Sequence, residues 1–335
     1  MNHHRNLVLA AVFLVCALML PSVASAGVSE PFKCSMCHKN LMDGKVVHKP
    51  VGAWQCLRCH EQFSLEHPLA KGSIGFITEK KKLCATCHGY IVKKQFLHGP
   101  VGKGECTACH LAHSGEFSKL LKAPPPKLCY GCHGTEKFNG KHGHPPVTRG
   151  ECLSCHDAHQ ADVRMLLRKP GAQLCFSCHD AKLAEGKSVH KPVAEGKCLD
   201  CHRPHVSDNR KLLKADFPDT PYRPFGDDAF PLCFSCHNKD LAAAATTDSA
   251  TGFRNGTRNL HYVHVNKAGK GRNCKICHNP HAASQERLIN PKSPNFGAWQ
   301  IPINFTKTPT GGKCSVGCHK TFYYDREKPV GPQFK

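Results

Sequence analysis

Ten times between residues 34 and 278 the chain reads C-x-x-C-H. The first five clusters are Cys34/Cys37/His38, Cys56/Cys59/His60, Cys84/Cys87/His88, Cys106/Cys109/His110 and Cys129/Cys132/His133. The next five are Cys152/Cys155/His156, Cys175/Cys178/His179, Cys198/Cys201/His202, Cys233/Cys236/His237 and Cys274/Cys277/His278. Residues at i, i+3 and i+4 share one face of a helical turn. Two thiols can then reach the two vinyl groups on one porphyrin edge while the histidine lies under the ring and ligates iron. A disulfide framework gives no reason for histidine after every second cysteine. Paired zinc knuckles would leave those histidines surplus.

An eleventh cluster, "KCSVGCHK", is longer by one residue: three residues separate Cys314 from Cys318, and His319 follows. Positions i and i+4 of a helical turn still share a face, so both thiols are expected to reach one porphyrin edge. The other 20 cysteines after residue 26 are already committed in pairs. The sequence therefore predicts eleven covalent haems c.

The remaining histidines keep register with these clusters. Of 25 in all, His3 and His4 lie at the extreme N-terminus and eleven are proximal ligands. Twelve are left as distal candidates: His48, His67, His98, His113, His142, His144, His159, His190, His205, His261, His264 and His281. Four open a shared line: "HKPVGAWQC" from His48, "HGPVGKGEC" from His98, "HPPVTRGEC" from His144 and "HKPVAEGKC" from His190. Four more stand three residues after a proximal histidine, in "CHLAH", "CHDAH", "CHRPH" and "CHNPH".

Three residues span at most about 10–11 Å, too little to round a ring edge and return to the same iron. His113, His159, His205 and His281 are therefore expected to serve a neighbouring haem, the first of their own unit. A histidine eight residues before a cysteine has chain enough to turn over the porphyrin. His48, His98, His144, His190 and His264 are accordingly assigned to the haem that follows each. His67, in "CHEQFSLEH", takes the corresponding place in the first unit. His142 and His261 are the spare pair and the candidates for the last haem. Met165 and the repeated "KLL", "MLL", "KLL" and "RLI" segments read as packing, as do Trp54 and Trp299. Met36 sits between two attachment cysteines and Met42 is unrepeated, so neither reads as a ligand.

Along the chain, the clusters pair into five repeated units whose first cysteines are 34, 84, 129, 175 and 233. Residues 27–213 form four doubled-CXXCH units with eight haems; residues 214–335 hold a fifth, stretched unit and the terminal cluster. Within that last part, 214–232 reads as a linker, and the long insertion before His261 and His264 reads as a surface loop. At the N-terminus, Arg5, the apolar run Leu7 to Leu20 and "ASA" (Ala24 to Ala26) read as a secretory signal peptide over residues 1–26. The run is shorter than the roughly 20 residues a membrane span needs. Cys16 lies inside it with no lipidation pattern.

Composition fits a prosthetic interior. Aromatic residues are 7%, Gly and Pro number 28 and 24, and mean hydropathy is −0.40. The porphyrins must act as the core, with short helices at the attachment sites, long loops wrapped round a chain of haems, and little sheet. Isolated helices below about 12–15 residues are marginal unless held from outside. The formal charge of +21 would ordinarily suggest nucleic acid or an acidic membrane. Two propionates per haem would bring it near neutrality, so no nucleic-acid partner is expected.

The doubled clusters and the two repeated histidine lines resemble the doubled-CXXCH multihaem cytochromes c, which include periplasmic decahaem electron conduits of metal-reducing bacteria. The resemblance covers essentially the whole chain after Ala26. It implies a multihaem cytochrome fold of low regular structure and electron transfer without catalysis. It also implies an exported, periplasmic protein, outer-membrane associated or extracellular. Its expected partners are redox proteins: an inner-membrane or periplasmic donor, an outer-membrane acceptor, and an outer-membrane porin as housing. Three-residue spacers occur in this family, and the small tetrahaem cytochromes show a similar distal arrangement. A filament is the lesser alternative. A multihaem reductase would need an open iron. The related nitrite reductases use a lysine-ligated haem, and no C-x-x-C-K occurs in this chain. An electron store or structural subunit is the third reading, separable only through its partners.

Overall fold

The computed structural model describes residues 31–296 and 299–331. The signal-peptide assignment and Cys16 lie outside the described residues. Regular structure is sparse, as expected: no described helix exceeds the seven residues of Pro31–Cys37. None is long and apolar enough to cross a membrane.

Attachment clusters sit on single turns. The first motif of a unit falls on a short helix, as at Lys127–Tyr130 and Gly171–Cys175; the second falls on a 3-10 turn, as at Cys106–Ala108 and Cys152–Ser154. The proximal histidine N–H donates to the carbonyl of the first cysteine, at 2.9 Å for His133 to Cys129 and 3.1 Å for His202 to Cys198. The i, i+4 geometry the spacing called for is thus present in the backbone.

The "HxPV" line has its own local logic. His48, His98, His144 and His190 are extended residues standing just before one helical turn, with proline near its start. Proline presets the helical φ where no N–H partner is needed. The turn then closes on a left-handed residue: Gly104, Gly150 and Gly196 have φ of 72°, 72° and 70°, and Trp54 takes 53° at the same place.

Units are stitched by four short antiparallel ladders. Val46–Val47 pairs with Ser114–Gly115, Phe96–Leu97 with Gln160–Ala161, His142–Gly143 with Val206–Ser207, and Ser188–Val189 with Ala282–Ala283. The N–H of His48, His98, His144 and His190 donates to the carbonyl of His113, His159, His205 and His281 respectively, at 2.8–2.9 Å. Each ladder joins one unit to the next. In the first unit a hairpin, His60–Gln62 with Ile74–Phe76, departs from the repeat.

Among the described residues before Leu213, Ala161 is the only buried apolar side chain. The repeat region thus has no protein core of its own. The C-terminal part differs. Residues 214–232, expected as a linker, dock on the fifth unit: Asn273 donates through its side chain to the carbonyls of Pro218 and Thr220, and Arg223 N–H to Gly271. Their phenylalanines explain this, since Phe230 is fully buried with Ala229, Ala242 and Val265. The insertion expected as a surface loop also folds inward. Asn259, fully buried, caps the helix Leu260–Val265 by accepting from Tyr262 N–H.

The chain closes with a four-stranded antiparallel meander: β1 (Lys292–Phe296), β2 (Trp299–Lys307), β3 (Gly311–Val316) and β4 (His319–Asp325). This corrects the helical turn expected at the last cluster. Cys314 lies on β3 opposite Phe305 and Phe322, Cys318 lies in the β3–β4 turn, and His319 opens β4. A glycine pair at 311–312 and the strand-forming "TFYY" favour a hairpin over a helix.

Candidate haem-binding sites

Proximal histidines meet distal candidates as pairs of facing rings. Ring centres are 6.1 Å apart for His38 and His67, 6.2 Å for His60 and His113, and 6.2 Å for His88 and His48. They are 6.0 Å for His110 and His159, 6.0 Å for His133 and His98, 6.1 Å for His156 and His205, and 6.1 Å for His179 and His144. The series ends with His202 and His281 at 6.1 Å, His237 and His190 at 6.0 Å, and His278 and His261 at 6.4 Å. A nitrogen–metal bond of about 2 Å on each side, with about 1.1 Å from each nitrogen to its ring centre, predicts about 6.2 Å. The gap fits one iron between two imidazoles, so the donor set suits a six-coordinate haem.

The partners differ from those expected. His48, His98, His144 and His190 do not face the histidine that follows them. They reach forward, past one cluster, to the first motif of the next unit. His113, His159, His205 and His281 do face another cluster, but it is the second motif of the preceding unit, not the first of their own. The inter-unit ladders are the physical reason: they carry each such histidine across the unit boundary. His261, expected as spare, faces His278. His264, expected to serve the Cys274 cluster, instead lies within electrostatic reach of His319. His142 joins none of them. It lines a separate cavity of about 280 Å³ with Asp208, Arg210 and Asp219.

Second nitrogens are held as iron ligation requires. With Nε2 directed at a metal, Nδ1 carries the proton and donates. Nδ1 of His48, His98, His144 and His190 lies 3.0–3.1 Å from the carbonyls of Ala112, Ala158, Pro204 and Pro280. Nδ1 of the proximal His110, His156, His202 and His278 lies 2.8–3.1 Å from the carbonyls of Lys119, Met165, Lys211 and Arg287. Each of those four residues, and the leucine after it, is left-handed, with φ between 56° and 59°. Two successive left-handed residues turn the carbonyl back onto the ring. The repeated "KLL"-type segment is therefore a carbonyl-positioning turn. Met165, read as packing, contributes its backbone carbonyl to this turn. The repetition was visible in the sequence, but its backbone role was not.

Cysteine neighbours fix the order of the sites. Within units, the Cys84 thiol is pushed up to about 11, first by burial and then by Cys106 beside it. Cys34 and Cys56, Cys129 and Cys152, Cys175 and Cys198, and Cys233 and Cys274 are likewise neighbours. Between units, Cys59 lies near Cys87, Cys109 near Cys129, Cys155 near Cys175, and Cys201 near Cys236. Cys277 lies near both Cys314 and Cys318. Each site thus adjoins the next one along the sequence.

The two thiols differ in exposure in the first motif of every unit and in the last cluster. In the first motif of every unit the second cysteine is exposed: Cys37, Cys87, Cys132, Cys178 and Cys236. Cys318 is exposed as well, whereas the first cysteines Cys34, Cys84, Cys129, Cys175, Cys233 and Cys314 are half-buried. The reason is local packing. In these five units the first cysteine leans on the first cysteine of the second motif. At the fifth and seventh sites Cys129 and Cys175 also make the contact to the preceding unit. Cys132 and Cys178 stand one turn further on, at the surface, where the repeat has no protein core to cover them. Their backbones still close the attachment turn, with Cys132 N–H donating to the Cys129 carbonyl at 3.2 Å and Cys178 N–H to Cys175 at 3.1 Å.

The last three sites open on one cavity of about 600 Å³, where His237, His278 and His319 meet His190, His261 and His264. Burial first, then His278 and His264, push the His261 imidazole down to about 3. It is therefore neutral, as a metal ligand must be.

A family model described as the doubled CXXCH motif matches residues 48–93, 98–138, 144–184 and 190–242, just over half of the chain. Each matched segment begins at a histidine of the "HxPV" line and runs through two clusters, so it contains both members of one facing pair, such as His48 and His88. Comparison with curated proteins gave no match. The C-x-x-C-H motifs attach haem c covalently. By its repeated motif and its sparse secondary structure, the chain belongs to the doubled-CXXCH family of multihaem c-type cytochromes, proteins of electron transfer.

Proposed function

We propose that the chain is an exported undecahaem cytochrome that relays electrons along eleven attachment sites in sequence order. The observation that carries this reading is the adjacency of every site to the next, from Cys34 beside Cys56 to Cys277 beside Cys314 and Cys318. Bound haem supplies a one-electron ferric/ferrous couple at each site. The two cysteines of each cluster would hold it by thioethers and the facing histidines would ligate it from both sides, which would leave no open position for a substrate. Two imidazoles also favour a lower potential than a histidine–methionine pair. For the last site the second ligand is His264, whose Nδ1 is bonded to the Leu260 carbonyl at 2.7 Å and whose ring stacks on Phe253. Donor and acceptor are redox proteins of the periplasm and outer membrane, with a porin as housing.

Intact mass with a pyridine haemochrome assay tests the count and the cleavage after Ala26 together. Eleven haems are expected; ten would remove the terminal site from the relay. Low-spin signals alone are expected by EPR, and a high-spin haem binding CO stoichiometrically would point to a reductase instead.

A further inference from the structure

Anchoring of the second ring nitrogen alternates along the array. At sites three, five, seven and nine the distal histidine is anchored, and at sites four, six, eight and ten the proximal one. In all eight the acceptor is a backbone carbonyl held by the repeat. The sequence shows no C-x-x-C-H cluster before Cys34 and no further "CHxxH" after His281, so the first and tenth sites have no repeat partner within it. Their distal histidines, His67 and His261, come from the two segments that break the repeat. Both are anchored by a hydroxyl: His67 Nδ1 lies 2.8 Å from Ser73 Oγ, and His261 Nδ1 lies 2.8 Å from Thr251 Oγ1. Ser73 is 5% exposed. Thr251 Oγ1 also accepts from Phe253 N–H at 3.0 Å, which fixes its position and leaves a lone pair for the histidine.

We infer that Ser73 and Thr251 are positioning residues that close the two ends of the repeat, each orienting a distal ligand and setting the potential of one haem. The inference rests on the proposed ligation by His67 and His261. An imidazole whose N–H donates to a fixed acceptor is a more basic ligand. It favours ferric over ferrous iron, so removing the acceptor raises that site's potential. Such outer partners are commonly worth about 10–100-fold in metal affinity. A tenfold differential effect on one oxidation state corresponds to about 59 mV for a one-electron couple.

The test uses the full-length haem-loaded protein with Thr251→Val, Thr251→Ser and Ser73→Ala. Readouts are haem content, EPR-monitored redox titration and CO binding. Wild-type protein that already binds CO at the first or tenth site would refute the ligation itself, before any substitution is made. With ligation intact, Thr251→Val and Ser73→Ala are each expected to keep the full haem count and to move a single potential upward about tenfold in the ferric/ferrous equilibrium. Thr251→Ser, which retains the oxygen, is expected to restore the wild-type value. Unchanged potentials in both Thr251→Val and Ser73→Ala would overturn the inference. So would a Thr251→Ser protein that behaves like Thr251→Val, since packing and not the hydroxyl would then be at work.

Discussion

Lys275 is 9% exposed, and its ammonium lies 2.7 Å from Asp219 Oδ1, with Arg210 and Lys211 on the same carboxylate at 2.8 and 3.7 Å. This cluster ties segment 214–232 to the cysteine turn of the tenth site. The hydrogen bond from Lys275 holds the Asp219 carboxyl below its ordinary range, and the charges of Lys275, Lys211 and Arg210 add to that against the opposing effect of burial. A depressed carboxylate contributes stability that is complete above the unfolded value, about 4, and lost as pH falls through the folded one. Asp219→Asn removes the charged partner and leaves Lys275 buried. It is expected to cost about 1–2 kcal/mol at pH 7, allowing for solvent screening at Asp219, and to flatten the acid limb of the stability curve. Thermal melts of haem-loaded protein from neutral to acid pH check both. Equal acid sensitivity in the variant and the wild type would mean that other carboxylates govern acid unfolding.

At the scale of elements, the left-handed residue that closes each "HxPV" turn allows a graded test. Gly104 and Gly196 share this conformation, but a Cβ on Gly104 would collide with the Lys81 carbonyl, whereas one on Gly196 would meet Ala172 Cβ at 3.3 Å. A left-handed alanine costs about 1–2 kcal/mol from backbone sterics alone. Gly196→Ala should lose about that much, and Gly104→Ala distinctly more; equal melting temperatures would show that the chain near Lys81 yields freely. The same turns show what the sequence made legible. Cysteine and histidine spacing revealed the attachment turns, because i, i+4 chemistry is local. It could not distinguish the half-buried Cys129 from the exposed Cys132, because that difference comes from the neighbouring cluster. Chain reach correctly sent His113 to a neighbouring cluster, but could not say which, since two-residue ladders such as Val46–Val47 with Ser114–Gly115 have no sequence signature. Hydroxyl anchors such as Ser73 left no periodic trace. The last cluster misled because its spacing suits a helix, while Gly311, Gly312 and the strand-forming residues after His319 make a hairpin.

For the molecule as a whole, the proposed relay in sequence order is a single file, each internal site taking electrons from the site before it and passing them to the one after. A branched network could route electrons around a perturbed site, whereas a single file cannot. The sixth site, between the Cys152 and Cys155 attachments and the His156–His205 pair, lies mid-chain and is suited to the comparison. His205→Met keeps both attachment cysteines and the proximal histidine, and histidine–methionine ligation raises the potential. In a single file the raised site becomes a well that every electron must enter and leave, and each 59 mV of elevation lengthens the stay there about tenfold. The expected result is an unchanged count of eleven haems, one potential shifted upward, and a fall in end-to-end conductance between electrodes contacting the first and last units. His142→Met, at a histidine that faces no cluster, should alter neither potential nor conductance. If conductance survives in His205→Met while the potential shift is present, electrons bypass the sixth site and the sites do not form a single file.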